Sequence, residues 1–297
     1  MSLSANSSGH KDFPPWLKKK VPSNRKIKQT RQILDDLELN TVCESASCAN
    51  MGECFSKKTA TFMIMGNTCT RNCQFCAVTG GEPETLDQNE PDHLAQAVVK
   101  LGLKHVVITS VTRDDLGDGG ASHFAECIKK VRSQDSEIII EVLTPDFNKK
   151  IKSLKLVADS DPDIFNHNVE TIPRFYDKVR PEADYQRSLK VISLIKDFNN
   201  SIFTKSGIMV GLGETETEVI QVMKDLRSID CDILTIGQYL QPTSNQVPVE
   251  EYITPEQFSK YEEIGRDLGF KYIASGPYVR SSYQADDFSK QYLREER

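Results

Sequence analysis

The residues of this chain best suited to chemistry are its cysteines. Six of the eight fall between positions 43 and 76, whereas Cys127 and Cys231 stand alone and are predicted to be small buried core residues. Cys69, Cys73 and Cys76 are separated by three and then two residues, a spacing that suits three corners of a cubane iron–sulfur cluster. Three thiolates leave one iron without a protein ligand, so that this iron is free to chelate a small molecule.

A second group of three cysteines precedes the first. Cys43, Cys48 and Cys54 are separated by four and then five residues. Taken alone, this spacing fits either a zinc site or an accessory electron-transfer cluster. For the later group a zinc knuckle is the alternative, but a zinc site normally has a fourth Cys or His close at hand, and His93 is remote in sequence.

The elements that must position these cysteines alternate regularly between strand and helix. Short β-branched or apolar runs predict strands at 60–66, 104–111, 138–143, 163–169, 202–210 and 232–239. Helical periodicity predicts helices at 91–102, 122–133, 149–158, 185–197, 215–228 and 255–268. Six βα units without a dinucleotide fingerprint predict an α/β fold, a partial (β/α)6 barrel rather than an open sheet. Chemistry in such a barrel lies where strands end, and Cys69 follows the first strand.

Composition restricts the class of protein. With 38% hydrophobic and 27% charged residues among 297, the chain can build a core, so global disorder is not expected. A net charge of −6 disfavours binding to nucleic acid. No apolar run approaches the ~18 to 20 residues of a membrane span, and the N-terminus lacks a secretory signal. We therefore expect a soluble cytoplasmic protein with no nucleic-acid or membrane partner, a compartment where cysteines serve as metal ligands more often than as disulfides.

The segment from residue 11 to residue 31 is rich in lysine and arginine and holds a single acid, Asp12. Because prolines are interleaved with these charges, the segment is predicted to be an extended arm. It is either a solvated tail or a basic strap for an acidic protein partner, and the sequence leaves both interpretations open.

The pattern of the later cysteines, with Phe75 before the last one, resembles the signature of the radical S-adenosylmethionine (SAM) superfamily. The resemblance implies that SAM chelates the open iron and is split by an electron from the cluster into methionine and a 5′-deoxyadenosyl radical. The earlier C-x4-C-x5-C group, placed just ahead of it, resembles that of the lipoyl synthase family. In that family the auxiliary cluster faces the SAM cluster across the substrate.

The resemblance extends over nearly the whole chain, through segments 15–17, 110–120, 166–171, 205–215 and 280–285. In the family, the second serine of the last segment completes the auxiliary cluster, which implies that Ser282 joins Cys43, Cys48 and Cys54 as a ligand. The expected organisation is an N-terminal arm and auxiliary motif at 1–58, a radical SAM core at 59–270, and a closing C-terminal segment at 271–297. Because the motif at Trp16 stands close to Met1, little room is left for a transit peptide.

Three residues are expected to bind SAM. Asn168 and Glu170, at the end of the fourth strand, could contact it, although two buried polar groups that satisfy one another would look the same. The stretch 207–214 resembles the strand that lies along the adenine, which brings Gly211 into the site. Gly80–Pro83 spells a tetrapeptide that many radical SAM proteins use for the SAM amino group, but it stands before the second strand and is predicted to be a surface turn.

The reaction implied by the resemblance is sulfur insertion at carbons 6 and 8 of a protein-bound octanoyl chain, with two SAM molecules spent and the auxiliary cluster as sulfur donor. No acid or base residue is required. The implied partners are octanoylated lipoyl carrier domains of the 2-oxoacid dehydrogenases and the glycine cleavage system, a flavodoxin or ferredoxin reductant, and an iron–sulfur carrier protein. The alternatives are a radical SAM methylthiotransferase and a non-enzymatic, zinc-stabilised interaction module.

Overall fold

The computed structural model describes residues 13–18, 24–283 and 285–288. Its strands are β1 (Thr61–Ile64), β2 (Thr68–Cys69), β3 (Thr79–Gly80), β4 (His105–Ser110), β5 (Ile139–Leu143), β6 (Ile164–Asn166), β7 (Phe203–Val210), β8 (Ile233–Gln238) and β9 (Tyr272–Gly276). Its helices are α1 (Asn24–Asp36), α2 (Val42–Ser45), α3 (Met51–Ser56), α4 (Glu90–Leu101), α5 (Ala121–Arg132), α6 (Ile151–Asp159), α7 (Tyr176–Val179), α8 (Tyr185–Phe198), α9 (Glu216–Ser228), α10 (Pro255–Asp267) and α11 (Asp286–Phe288).

Seven of these strands form one parallel sheet in the order β1-β4-β5-β6-β7-β8-β9, and β2 pairs with β3 separately. Within the described ranges β1 and β9 each pair with one neighbour only. Ser282, shortly after β9, nevertheless contacts Thr61 on β1, so the sheet curls until its two edges approach one another. The predicted α/β partial barrel is confirmed, with helices following the strands as crossovers.

The two ends of the fold differ from a plain reading of the sequence. The segment 271–297, predicted to close over the earlier cysteine group, begins with β9, which was not predicted and adds a seventh strand. Five residues ending in Ala-Ser-Gly are too few to show a strand period. Residues 24–31 are helical in α1 instead of extended, because Ile27 and Leu34 are buried on one face and Thr30 donates a 2.7 Å hydrogen bond to the Phe55 carbonyl. Residues 1–12, 19–23, 284 and 289–297 lie outside the described part.

The two faces of the sheet have different chemistry. Val106 and Ile108 of β4 are fully buried against the helices, in the same core as Phe124 of α5. A buried ionic cluster joins several strands: Lys205 donates to Glu141 at 2.8 Å, and His105 lies 3.4 Å from the same carboxylate. Burial alone would raise the pKa of Glu141, but Lys205 and His105 hold it below its usual value. The sheet therefore has an apolar outer face, which packs against the helices, and a polar inner face. No helix in the described ranges is long and apolar enough to cross a membrane.

Candidate active site

The later cysteine group lies on the loop that carries β2 and β3, just after the first barrel strand. Cys69 Sγ accepts hydrogen bonds from the backbone N–H groups of Arg71 (3.4 Å) and Thr112 (3.3 Å). Cys76 Sγ accepts one from the N–H of Val78 at 3.5 Å. Backbone donors aimed at sulfur stabilise negative charge there, which is what a thiolate ligand requires.

Burial keeps the free thiols protonated. It raises the pKa of Cys73 to about 12 and that of Cys76 to about 11. In the earlier group it raises the pKa of Cys43 to about 12 and that of Cys54 to about 11. A metal that binds either group must therefore displace protons. Across the part of the chain that the structure describes, no three His, Cys, Asp or Glu side chains lie close enough together to hold a single metal ion.

Arg71, inside the later cysteine motif, anchors this loop to the barrel. Its side chain donates to Asp114, after β4, at 2.7 Å and to Asp146, after β5, at 2.7 Å. Asp146 also pairs with Arg187 of α8 at 3.0 Å. Although burial raises the pKa of Asp146, Arg71 lowers it to about 2, so this carboxylate stays ionised at neutral pH. These two ion pairs fix the loop that carries the three cysteines against the ends of β4 and β5.

The structure places Asn168 and Glu170 together at the end of β6. The amide of Asn168 donates a 3.0 Å hydrogen bond to the Glu170 carboxylate, so the two partly satisfy one another. Glu170 has a positive φ of 64° and bridges to Ile208 of β7, which fixes its backbone. Burial raises the pKa of Glu170. Their role toward SAM remains a prediction.

Arg180, after α7, belongs to this site and was missed in the sequence. Its Nη1 donates to the carbonyls of Asn168 (2.9 Å) and Val169 (3.2 Å), and its positive charge acts on Cys73 and Glu170. The side chain is buried, and its Nε has no partner among the described residues. No sequence signal distinguishes this arginine, because its neighbours come together only through the fold.

Gly211 stands at a tight turn after β7. Its φ is +106°, and a Cβ there would lie 2.2 Å from Nε2 of Gln238 and 2.5 Å from the Glu251 carbonyl. The positive φ and these close contacts account for a glycine at this position. A role of Gly211 beside the adenine stays a prediction. The Gly80–Pro83 tetrapeptide lies at the surface, where Gly80 and Gly81 are exposed, but it begins at the end of strand β3 instead of in the predicted turn.

The earlier cysteine group is built on two short helices. Cys43 lies on α2, which Thr41 caps by accepting the Glu44 N–H, and Cys54 lies on α3. Cys48 stands between them, with its N–H bonded to the Cys43 carbonyl at 3.0 Å. Helices this short are unstable alone and depend on packing against α1 and β1.

The C-terminal segment returns to this group. A cavity of about 510 Å³ is lined by Cys43, Cys48, Cys54 and Ser282. The Thr61 hydroxyl donates to Ser282 Oγ at 2.7 Å, although the two residues are 221 positions apart. The predicted return of the chain is therefore present, whereas iron ligation by Ser282 is still a prediction. Other lining residues are Ala60, Leu101, Leu103, Val107 and Arg280.

Comparison with known proteins identifies the family. The model of the radical SAM superfamily matches residues 63–226, and that of the N-terminal domain of lipoyl synthase matches residues 2–48. The lipoyl synthase of Caldanaerobacter subterraneus subsp. tengcongensis is 58% identical over 273 residues, covering 92% of this chain and 95% of that protein. The chain belongs to the lipoyl synthase family. A second lipoyl synthase, from Caldicellulosiruptor saccharolyticus, is 52% identical over 277 residues, 93% of this chain and 97% of that protein.

Membership of the lipoyl synthase family makes the chain a radical SAM enzyme, a sulfur-inserting transferase whose cofactors are 4Fe–4S clusters and SAM. The solved structure of methylornithine synthase supports the same fold, with a TM-score of 0.55 at 13% identity over 87% of this chain and 84% of that one. The zinc-stabilised module is therefore excluded as a function.

The residues of this lipoyl synthase fold fit a polar cofactor between the strand ends and the later cysteine group. The buried side-chain atoms without a hydrogen-bond partner in the described chain include five at this edge of the sheet: Ser110 Oγ, Thr144 Oγ1, His167 Nε2, Asn168 Oδ1 and Thr171 Oγ1. Such atoms are rare in folded proteins and call for a ligand or water. They lie at the end of β4 or follow β5 and β6, at the edge where the parallel strands end. A SAM molecule has amino, carboxylate and ribose groups that these atoms can bind.

Proposed function

We propose that this chain inserts sulfur at carbons 6 and 8 of an octanoyl group carried on a protein. In this assignment Cys69, Cys73 and Cys76 hold the SAM cluster, and the earlier cysteine group together with Ser282 holds the auxiliary cluster. The observation that carries it is the cavity at which Cys43, Cys48, Cys54 and Ser282 meet. This long-range convergence has no purpose in a protein that needs only the SAM cluster.

When bound, SAM and its cluster supply a 5′-deoxyadenosyl radical able to abstract hydrogen, and the auxiliary cluster supplies sulfide. The chain's own residues bind SAM and orient it. Arg180 offers a buried positive charge beside Cys73, suited to the SAM carboxylate, and Asn168 Oδ1 is a free acceptor for a donor group. Glu170, held by Asn168, is the acceptor we assign to the ribose hydroxyls. Gly211 shapes the turn beside them.

The octanoyl chain requires an apolar wall next to the auxiliary site. Leu101, Leu103 and Val107 line one side of the cavity, and Ala60 adds to it. An acyl chain that packs against these side chains is removed from water. This burial favours binding by about 25 cal/mol per Å² of apolar surface buried. The wall also keeps water away from reactive carbon, and no residue has to act as a general acid or base.

The finer assignments follow the same proposal. The substrates are octanoylated lipoyl carrier domains of the 2-oxoacid dehydrogenases and the glycine cleavage system. Electrons come from flavodoxin or ferredoxin, and the auxiliary cluster is supplied by an iron–sulfur carrier protein, all in the cytoplasm. Residues 1–58 and 271–297 act as the two segments that build the auxiliary site onto the core at 59–270.

The experiment that tests this function is anaerobic turnover. Reconstituted protein is incubated with SAM, dithionite and an octanoyl-lysyl peptide, and the peptide is analysed by mass spectrometry. We expect a mass gain of two sulfur atoms, as the dithiol form under these reducing conditions, and 5′-deoxyadenosine as co-product. A methylthio group on the peptide would favour the methylthiotransferase alternative, and an unchanged peptide with full SAM cleavage would refute octanoyl as the substrate.

A further inference from the structure

Arg280 lies on the C-terminal segment, two residues before Ser282, at the cavity of the earlier cysteine group. Its side chain lines this cavity together with Cys43, Cys48 and Cys54. Its positive charge acts on the ionisable groups of Cys48 and Tyr278. A guanidinium is charged at every physiological pH, so this wall of the cavity is permanently positive.

No carboxylate pairs with this guanidinium in the described part of the chain. Nη1 of Arg280 donates to the carbonyl of its own neighbour, Val279, at 2.6 Å. The Glu53 carboxylate, which also lines the cavity, instead accepts hydrogen bonds from Lys57 (2.8 Å) and the Tyr283 hydroxyl (3.0 Å). A partly buried arginine without an acid is unfavourable unless another negative group completes the site.

The barrel makes room for this arginine. At Gly237 of β8, a Cβ would lie 2.1 Å from the Val279 carbonyl oxygen and 3.3 Å from Nη1 of Arg280. One strand away, a Cβ at Gly207 would lie 2.9 Å from Ser281 Oγ. Two glycines on adjacent strands therefore let the segment of Arg280 settle against the sheet. Backbone packing therefore fixes the segment from which the Arg280 side chain enters the cavity.

A cluster held here is expected to carry net negative charge. Three thiolates and a serine oxygen bring more negative charge than the cubane core brings positive charge, and of the proposed ligands Cys43 is buried while the others are partly exposed. Net charge and hydrogen bonds to sulfur set the reduction potential of such clusters. We propose, on the basis of the function proposed above, that Arg280 is the positioning residue that supplies the resident counter-charge of the auxiliary site. It raises the reduction potential of that cluster and slows its loss.

The test isolates the auxiliary cluster in the full chain. Cys69, Cys73 and Cys76 are replaced by Ala in one background, and Arg280→Gln, Arg280→Lys or no further change is added. Iron and sulfide are counted after anaerobic reconstitution, and the midpoint potential is measured by redox titration followed by electron paramagnetic resonance. We expect Arg280→Gln to shift the potential to a more negative value and to lose iron several-fold faster to a chelator.

Arg280→Lys keeps the positive charge but removes the planar guanidinium, so it tests whether the charge itself matters. It should restore most of the potential and the iron content, even if Arg280→Gln fails to assemble a cluster at all. Arg266→Gln on α10 removes the same charge from an exposed site and should change nothing. The proposal is overturned if Arg280→Gln keeps the parent potential and chelation rate, or if Lys and Gln are equally damaging. If the parent background assembles no cluster, the ligand assignment itself fails and the inference falls with it.

Discussion

Thr61 and Ser282 are joined by a hydrogen bond of 2.7 Å between their hydroxyl groups, from the first barrel strand to the C-terminal segment. Thr61 also lies beside Cys43, where its backbone and side chain lower the pKa of the thiol against the larger effect of burial. One residue of β1 therefore lies beside both parts of the proposed auxiliary site. Because β1 is a buried strand, it holds Ser282 against the cavity wall even when no cluster is bound.

Replacing Thr61 by Val removes the donor and keeps the shape of the side chain. The apo protein should lose about 1 kcal/mol of unfolding free energy, measured by urea denaturation, because one partly buried hydrogen bond is lost. The reconstituted variant should also release the iron of its auxiliary cluster to a chelator faster than the parent. Thr109→Val is the matched control, since Thr109 donates a similar 2.9 Å bond to the Leu143 carbonyl elsewhere in the sheet. Equal chelation rates in both variants would contradict the role of Thr61.

Replacing single cysteines should separate the two groups. Cys73→Ala is expected to abolish reductive SAM cleavage, because the radical-forming cluster loses a ligand. Cys48→Ala should leave 5′-deoxyadenosine formation measurable while sulfur insertion disappears. Chromatography of the nucleoside and mass spectrometry of the peptide report the two steps in one reaction. Lipoyl product from the Cys48 variant would show that the earlier group is not the sulfur donor.

Gly237→Ala should dislodge the C-terminal segment. The new Cβ would meet the Val279 carbonyl at 2.1 Å, and backbone cannot move aside cheaply. We expect the variant to bind the iron of one cluster instead of two and to retain SAM cleavage. Gly276→Ala is the control, because its Cβ would lie 3.4 Å from Val279 Cγ2, an ordinary contact. Full iron content in the Gly237 variant would mean that the segment tolerates displacement.

His167 predicts a specific dependence of stability on pH. Burial, with the nearby charge of Arg180, lowers its pKa to about 4. The unfolded chain takes up a proton on this histidine near pH 6.5, whereas the folded protein does not. The contribution of neutral His167 to the free energy of unfolding is therefore complete above pH 6.5 and is lost as the pH falls toward 4. Between pH 7 and pH 5 the loss is about 2 kcal/mol.

The measurement is urea denaturation of the apo protein at pH 5 and pH 7. His167→Asn keeps a donor for the Thr144 carbonyl, which accepts from Nδ1 at 2.9 Å in the structure, but it cannot titrate. The difference in unfolding free energy between the two pH values should shrink by about 2 kcal/mol in the variant. An unchanged difference would mean that His167 is protonated in the folded state.

Local patterns in the sequence were enough for much of this protein. The cysteine spacings, with three cysteines in a short run of chain, predicted the family, and the comparisons confirm it. Strand and helix alternation predicted the partial barrel, because each element carries its own hydrophobic period. Helix α10 was expected at 255–268 and is found at Pro255–Asp267, where Thr254 caps its first turn. Patterns of this kind involve residues close in sequence, so they can be recognised without knowledge of the tertiary structure.

The tertiary structure alone decided which distant residues share a site. Arg180, Arg280 and Gly237 carry no local signal, and their importance lies in contacts with groups on other strands. The helix α1 within the basic arm escaped prediction because its buried face is defined by Phe55 on α3. The same reason applies to Ser282, for which the resemblance gave an expected role but no position. A contact across 221 residues arises only when the sheet curls and brings its two edges together.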